Sequence, residues 1–97
     1  MDLESKFKIK LKKEIKLRLP GCIIVNLDPS ISQGVPDHLI LFNDRWAALE
    51  VKRSSRAARQ PNQEYYVELM NDWSFAAFIY PENMEEVLDA LQRSFET

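Results

Sequence analysis

The sequence predicts an α/β fold with the element order α-β-β-β-α-β-α, in which a mixed four-stranded sheet is flanked by helices. Three observations support this prediction. Amphipathic helical patterns stand at both ends of the chain, in residues 2–18 and from residue 81 onward. Apolar runs of strand length lie between them, and a further helical pattern separates the last two runs. A helix between two strands favours a crossover, so helices are expected on the faces of the sheet.

The first helix is predicted over residues 2–18, because Pro20-Gly21 ends its pattern. Its apolar residues recur every four positions, with lysines between them: Leu3, Phe7, Leu11 and Ile15. Residues 22–27 follow as a β-branched run, which predicts a buried strand. Residues 28–36 contain the Pro and Gly signals of a loop.

The next two strands are predicted over residues 38–42 and 46–52, and the tight turn at residues 43–45 joins them as a hairpin. A polar, basic loop follows at residues 53–59. The fourth strand is predicted over residues 74–80.

Residues 60–63 open the second helix, with Pro61 near its first turn. Its buried face is predicted to contain Tyr66, Leu69, Met70 and Trp73. The last helix begins at residues 81–83, and its apolar face is predicted to contain Met84, Val87, Leu88, Leu91 and Phe95. Trp46 and Trp73 are expected in the core or at an interface, not as stacking platforms for bases.

The composition predicts one compact domain over residues 1–97, with 45% hydrophobic and 10% aromatic residues. No apolar run approaches the length of a membrane span. Residues 1–4 lack the apolar core of a signal peptide, which predicts a cytoplasmic protein, compatible with a phage product that acts in its host cell. Cys22 and His38 are the single Cys and His of the chain. They argue against an internal disulfide, a cysteine-based zinc site and a multi-histidine metal site.

Basic residues concentrate in two segments, although the net charge is −2. Residues 1–18 and 45–59 are both rich in Lys and Arg, whereas the tail after residue 82 is mainly acidic. Lysines on a helix are often just a solvated face. Two basic segments beside paired carboxylates instead favour a phosphate backbone as partner. The predicted DNA contacts are Lys12, Lys13, Arg53, Arg56 and Arg59.

Asp37 stands just before the second strand, and Glu50 and Lys52 stand near the end of the third. The arms of the hairpin are nearly equal in length, so antiparallel pairing brings position 37 opposite about position 50. Glu50 and Lys52 share one face of the strand, and the carbonyl of Val51 can reach a metal bound by its neighbours. Paired carboxylates beside a Lys suit hydrolysis of a phosphodiester with a divalent metal. The alternative is a plain ion pair between Glu50 and Lys52 at the strand end.

Residues 34–80 closely resemble the VRR-NUC branch of the PD-(D/E)XK nuclease superfamily. Three motifs carry the resemblance: Gly34-Val35-Pro36-Asp37, Leu49-Glu50-Val51-Lys52-Arg53, and Pro61-Asn62-Gln63 with Tyr66 and Leu69. The resemblance implies a restriction-endonuclease-like αβββαβ core, here with one added C-terminal helix. Each motif alone is a weak signal, whereas the three together are specific.

The resemblance also implies a role for each matched residue. Asp37 and Glu50 bind the metal together with the carbonyl of Val51. Lys52 is catalytic, and Gln63 positions the groups of the metal site or the substrate. The implied cofactor is Mg²⁺, and Mn²⁺ is expected to substitute for it.

Two assignments stay open between alternatives. The family places a Glu on its first helix, and the resemblance favours Glu4 as a further catalytic and metal-binding residue, because the family's Glu comes early in that helix. Glu14 is the other candidate, although it could pair with Arg18 four residues later. Gln60 is an alternative to Gln63, but it stands in the region of the helix cap.

The function implied by the resemblance is that of a small Mg²⁺-dependent DNA endonuclease. Short stand-alone VRR-NUC proteins resemble phage and bacterial resolvases, so a homodimer that cuts branched DNA, such as a Holliday junction, is expected. Flap, nicking and homing-type endonucleases are alternatives with the same chemistry. A non-catalytic DNA-binding module on the same fold and a protein-interaction domain with a charged helix are alternatives of other classes. Base-specific readout is not expected, because no recognition helix or zinc finger is evident.

Overall fold

The computed structural model describes residues 1–28, 30 and 32–96. The elements are α1 (Leu3–Arg18), β1 (Ile23–Asn26), β2 (His38–Phe42), β3 (Arg45–Val51), α2 (Gln63–Trp73), β4 (Phe75–Ile79) and α3 (Met84–Glu96), and a 3-10 turn at Pro81–Asn83 precedes α3. Positions 29 and 31 of the predicted loop lie outside the described residues, as does position 97. The predicted α/β fold and the order of its elements are confirmed.

The four strands form one mixed sheet in the order β1-β2-β3-β4. β1 pairs antiparallel with β2, β2 and β3 form the predicted hairpin, and β3 and β4 are parallel. The parallel pair requires the long α2 connection, because the chain must return to the opposite end of the sheet before it enters β4. α1 and α3 pack on one face of the sheet, and α2 packs against β3 and β4 on the other.

The larger part of the core lies between the sheet and helices α1 and α3. It contains Phe7, Leu11, Ile15, Leu19, Ile40, Ala47, Leu49, Val51, Ile79, Met84, Val87, Leu88 and Leu91. A smaller buried cluster of Ala48, Val67 and Ala76 lies beneath α2. Side chains of β3 alternate between these two clusters, so the strand is buried on both faces. A charged side chain on its buried part therefore needs a partner or a function.

Two predictions of burial are wrong. The first strand is not buried: β1 forms an edge of the sheet, and Ile23 is 59% exposed. On α2, the predicted buried face does not extend to the end of the helix, because Trp73 is 67% exposed. The buried residue of that helix is Val67. Both results have one cause: α2 covers β3 and β4 and leaves the same face of β1 and β2 uncovered.

Local chemistry sets where the helices begin. Asp2 caps α1, because its carboxylate accepts a hydrogen bond of 2.8 Å from the backbone N–H of Ser5. α2 begins at Gln63 and not within residues 60–62, since Asn62 has a left-handed backbone conformation with φ of 74°. None of the helices formed by the described residues has the length and apolar character that crossing a bilayer requires.

Candidate active site

The adjoining ends of β2 and β3 bring Asp37 and Glu50 together. His38 pairs with Leu49 in the antiparallel register, so the preceding residue, Asp37, comes opposite Glu50. One carboxylate oxygen of Asp37, Oδ2, accepts a hydrogen bond of 2.8 Å from the backbone N–H of Val51. This bond holds the Asp37 side chain against the strand that carries Glu50.

Gln63 connects the acidic and basic groups of this site. Its Oε1 accepts hydrogen bonds from Lys52 Nζ at 2.7 Å and from the backbone N–H of Gln60 at 2.8 Å. Its Nε2 donates to Glu50 Oε2 at 2.9 Å. Lys52 Nζ donates a further bond of 3.0 Å to the carbonyl of Ala58. The structure thus places the side chain of Gln63 in the site, whereas Gln60 contributes a backbone group.

Glu50 is a buried carboxylate that resists ionisation. It is 4% exposed, and Lys52 is 8% exposed. Burial and then the negative charge of Asp37 raise the pKa of Glu50 to about 7, although the ammonium groups of Lys52 and Lys8 oppose this rise. Lys52 Nζ lies 3.8 Å from Glu50 Oε2, which is longer than a hydrogen bond. Lys52 and Glu50 thus attract each other without a direct hydrogen bond, and the side chain of Gln63 bridges them.

The N-terminal end of α1 adds Glu4 and Lys8 to the surroundings of these carboxylates. Lys8 Nζ lies 3.5 Å from Glu4 Oε2 and 3.7 Å from Asp37 Oδ1. The charge of Glu4 also contributes to the raised pKa of Glu50, after burial and Asp37. The structure thus brings Glu4 near the predicted metal ligands, as the resemblance favours.

The C-terminal end of α1 carries a different charged group, which we call the Arg18 cluster: Arg18, Glu85 and Asp89. The guanidinium of Arg18 donates to Asp89 Oδ1 at 2.5 Å and to Glu85 Oε2 at 2.7 Å, which joins α1 to α3. Glu14 adds negative charge near Arg18. Of the two candidate acids on α1, Glu14 thus lies near this cluster.

An open cleft of about 610 Å³ lies between the start of α1 and the loop after β3. Its walls include Glu4, Lys52, Arg53 and Ala58. The predicted catalytic lysine and the favoured helix acid therefore line one surface that a substrate can reach.

The loop before β2 packs against the start of α2. Gly34 is buried and has φ of 92°, and a Cβ atom built on it would lie 2.6 Å from Cβ of Asn62. Only glycine fits so close an approach in this conformation. Ser32 Oγ and the hydroxyl of Tyr66 share a hydrogen bond of 3.0 Å. These contacts fix the loop that ends at the site against the helix that carries the site glutamine.

His38 lies buried beside the site, with 3% of its surface exposed. Neither of its ring nitrogens has a hydrogen-bond partner among the described residues. Burial lowers the pKa of His38 to about 4, so the ring is neutral near pH 7. It packs as a neutral ring in the interior.

The predicted DNA contacts have different surroundings. Arg53 lines the cleft. The guanidinium of Arg59 lies 3.8 Å from the centroid of the Phe78 ring and donates to Glu64 at 3.1 Å, so it is already engaged within the protein. The others lie at the surface: Lys12 is half-buried, and Lys13 and Arg56 are exposed. Contact of any of the five with DNA stays a prediction.

Two groups at the site are not among the residues predicted from the sequence. Lys8 lies in the basic segment of residues 1–18, and its spacing of four residues from Glu4 is a signal for a contact. The backbone carbonyl of Ala58 accepts a hydrogen bond from Lys52. The residue type gives no signal for a main-chain contact of this kind.

The donor set suits a hard divalent cation. Across the described residues, no group of three or more His, Cys, Asp or Glu side chains is placed to hold a metal ion. Asp37 and Glu50 nevertheless fit Mg²⁺ or Mn²⁺, since such ions are often held by one or two carboxylates together with waters and substrate phosphates. A cation here would also offset the repulsion that raises the pKa of Glu50. The identity of the ion stays a prediction, as does the Val51 carbonyl as a ligand.

Comparison with solved structures finds the same fold. A structure described as a VRR_NUC domain aligns with a TM-score of 0.74, over 92% of this chain and 97% of that chain, at 17% sequence identity. The chain therefore has the fold of a VRR_NUC domain, and the resemblance predicted from the sequence motifs is confirmed at this level. No protein-family profile matches the sequence, and a comparison with curated proteins finds no match.

Proposed function

We propose that this protein is a metal-dependent DNA endonuclease of the PD-(D/E)XK type and belongs with the VRR-NUC proteins. The observation that carries the proposal is the connected group of Asp37, Glu50, Lys52 and Gln63, which we call the Glu50 cluster. It combines two carboxylates, one of them hard to ionise, with an ammonium oriented by two hydrogen bonds at the wall of a cleft. The VRR_NUC fold supports the same chemistry.

The residues of the cluster would divide the reaction between them. Asp37 and Glu50 would hold the divalent cation, which when bound polarises the phosphoryl group and makes water a better nucleophile. Lys52 has two of its three N–H groups bonded to Ala58 and Gln63, and we assign the third to a phosphate oxygen. There the ammonium would orient the attacking water and stabilise the negative charge that builds up on the phosphoryl oxygens. Gln63 would keep the ammonium and the carboxylate at fixed positions.

A cleavage assay tests this function directly. Labelled linear duplex, flap, splayed-arm and four-way DNA are incubated with the protein and Mg²⁺, Mn²⁺ or a chelator. We expect cleavage with either ion and none with chelator. Binding of DNA with no cleavage under any condition would favour the non-catalytic DNA-binding module, and neither binding nor cleavage would favour a protein-interaction domain.

The same assay separates the possible substrates. We propose branched DNA, with the Holliday junction as the preferred form, and therefore expect four-way DNA to be cut fastest. Faster cleavage of flap DNA would assign a flap nuclease, and single-strand cuts in linear duplex would assign a nicking or homing-type enzyme. Since the substrate is DNA, we also propose that the protein acts inside a cell.

We further propose that two copies pair through the uncovered face of the sheet. Leu39, Leu41, Trp46, Met70 and Trp73 line an apolar groove of about 280 Å³ on this face. Trp73 alone exposes roughly 150 Å² of mostly apolar surface, and the largest apolar patch of a soluble protein, of a few hundred Å², is often a functional surface. An uncharged patch is compatible with its own copy about a two-fold axis.

The position of the groove leaves both active sites open in such a dimer. Trp46 is at the start of β3, whereas Glu50 is near its end, about 13 Å along the strand. Trp73 is likewise at the opposite end of α2 from Gln63. Two copies joined here could therefore each present a cleft to one branched molecule.

Sedimentation of single variants tests the dimer. Trp73→Glu should turn a dimer into a monomer, because it places a charge in the uncovered groove. Tyr65→Glu is the matched control, since Tyr65 is also an exposed aromatic residue of α2, at 60% exposure, but lies near the site end of the helix. A wild-type protein that stays monomeric both free and on four-way DNA would contradict the dimer.

A further inference from the structure

Lys8 is shared between two carboxylates that come from different parts of the chain. Its Nζ lies 3.5 Å from Glu4 on the same helix and 3.7 Å from Asp37 at the start of β2. Both distances exceed the 2.7–2.9 Å that is typical of a charge-assisted hydrogen bond. The ammonium therefore acts as a counter-charge between the two groups, and it is not bonded closely to either of them.

The charge of Lys8 reaches the third carboxylate as well. It opposes the rise in the pKa of Glu50, which burial, Asp37 and Glu4 produce. The side chains of Lys8 and Asp37 are 30% and 28% exposed, so water screens their interaction only in part. One ammonium thus partly neutralises Asp37 and Glu50, which the proposed function assigns to the cation, together with the neighbouring Glu4.

We propose that Lys8 takes the place of the divalent cation in the metal-free protein and must leave the carboxylates when the cation binds. This inference rests on the proposed function, because it concerns the same carboxylates. The observation that carries it is the position of the Lys8 ammonium between the carboxylates of Glu4 and Asp37.

The exchange sets the affinity of the site for its cation. A competing positive charge lowers that affinity, and removal of one charge about 5 Å from a divalent ion should raise it about tenfold at high effective dielectric. The lysine is able to move, because its ammonium sits on a flexible four-carbon stem and none of its contacts is close. Without metal, the same ammonium limits the repulsion among the carboxylates and so stabilises the fold.

Lys8→Met tests the exchange, because it removes the charge and keeps most of the apolar stem. Calorimetric titration of the full chain with Mg²⁺ and with Mn²⁺, in the absence of DNA, should show about tenfold tighter binding by Lys8→Met than by wild type. Lys10→Met, an exposed position on the same helix, is the matched control and should bind like wild type. Lys8→Arg retains the charge and should also bind like wild type.

Thermal unfolding gives a second readout that does not depend on activity. In chelator, Lys8→Met should unfold at a lower temperature than wild type, and the gap should close at saturating Mn²⁺. If Lys8→Met does not fold, Lys8→Gln takes its place in both measurements. Metal binding by wild type with unchanged or weaker binding by the variant would overturn the inference alone. A wild-type protein that binds neither ion would overturn the proposed function together with it.

Discussion

The two ends of α1 both carry charged clusters, but their carboxylates have opposite surroundings. In the Arg18 cluster, the side chains of Glu85 and Asp89 are 70% and 56% exposed, and Arg18 donates to both. In the Glu50 cluster, the side chain of Glu50 is 5% exposed, and its pKa is raised to about 7 by burial and by Asp37. In the first cluster, ion pairs join two helices while the carboxylates stay largely in water, so little desolvation is required. In the second cluster, burial destabilises the ionised form of the carboxylate.

The largest effect should follow removal of the ammonium of the Glu50 cluster. Lys52→Met should lower the rate of DNA cleavage by about 10²–10³-fold, the loss typical when one stabilising group for a developing anion is removed. DNA binding, measured by fluorescence anisotropy, should be nearly unchanged, because the variant keeps the carboxylates and the basic surface. Lys10→Met is the control for loss of a lysine charge. A variant cleaving at the wild-type rate would remove Lys52 from the mechanism.

Glu50→Gln should make the protein more stable and less active. The pKa of Glu50 is raised in the folded state, so wild type loses stability as pH rises from about 4.5 through about 7. A rise of this size corresponds to about 3 kcal/mol, so in metal-free buffer near pH 8 the stability of the variant should exceed that of wild type by that amount. Near pH 4 the two proteins should have equal stability. His38 titrates in both and cancels in the difference.

Denaturant unfolding at several pH values measures this effect. Asp37→Asn is a useful companion, because it removes a charge that raises the pKa of Glu50 and should therefore also increase stability at high pH, by a smaller amount. If the stability difference between Glu50→Gln and wild type did not change with pH, the ionisation of Glu50 would not be the cause.

Glu4→Gln and Glu14→Gln compare the acids near the two ends of α1. Glu4 lies near the carboxylates of the Glu50 cluster, so Glu4→Gln should lower cleavage by about tenfold, as is common for groups that support a metal site. Glu14 lies near Arg18, so Glu14→Gln should cleave like wild type. Initial rates at limiting Mn²⁺ give the sharpest contrast. The reverse order would move the site acid on α1 from Glu4 to Glu14.

The smallest effect should come from the Arg18 cluster. Arg18→Met should lower the free energy of unfolding by about 1 kcal/mol, because its partners are largely in water, and the loss should shrink at high salt. Arg93→Met, at an exposed position on α3, is the control. DNA cleavage per folded molecule should not change. A large loss of activity in Arg18→Met would mean that the two ends of α1 are coupled.

Much of the fold could be predicted because it depends on local pattern. The period-four stripe of α1, the short turn of the hairpin and the helix between β3 and β4 each specify one element and its direction. The exposure of Ile23 and Trp73 could not be predicted in this way. Burial of β1 and of the end of α2 depends on which strands α2 covers, and this is decided by packing between distant segments.

The contacts of the candidate site likewise differ in whether local pattern or packing of distant segments sets them. The proximity of Asp37 and Glu50 follows from a two-stranded register, so counting residues from the turn was sufficient. The contact of Gln63 with Glu50 depends on how α2 lies over the sheet, and only the resemblance suggested it. The position of Lys8 between Glu4 and Asp37 depends on the rotation of α1 and on two carboxylates from separate segments. The approach of Lys8 to Asp37, unlike its contact with Glu4, therefore has no signal in the spacing of residues.

Because Gly34 has no side chain, the candidate active site depends on a residue that lies outside it. Any larger residue would push the loop away from Asn62, and the loop leads directly into Asp37. In a library of randomly mutated genes, codon 34 should therefore tolerate glycine alone. Its substitutions would abolish activity as those of the proposed acidic ligands would, although glycine itself would take no part in the chemistry.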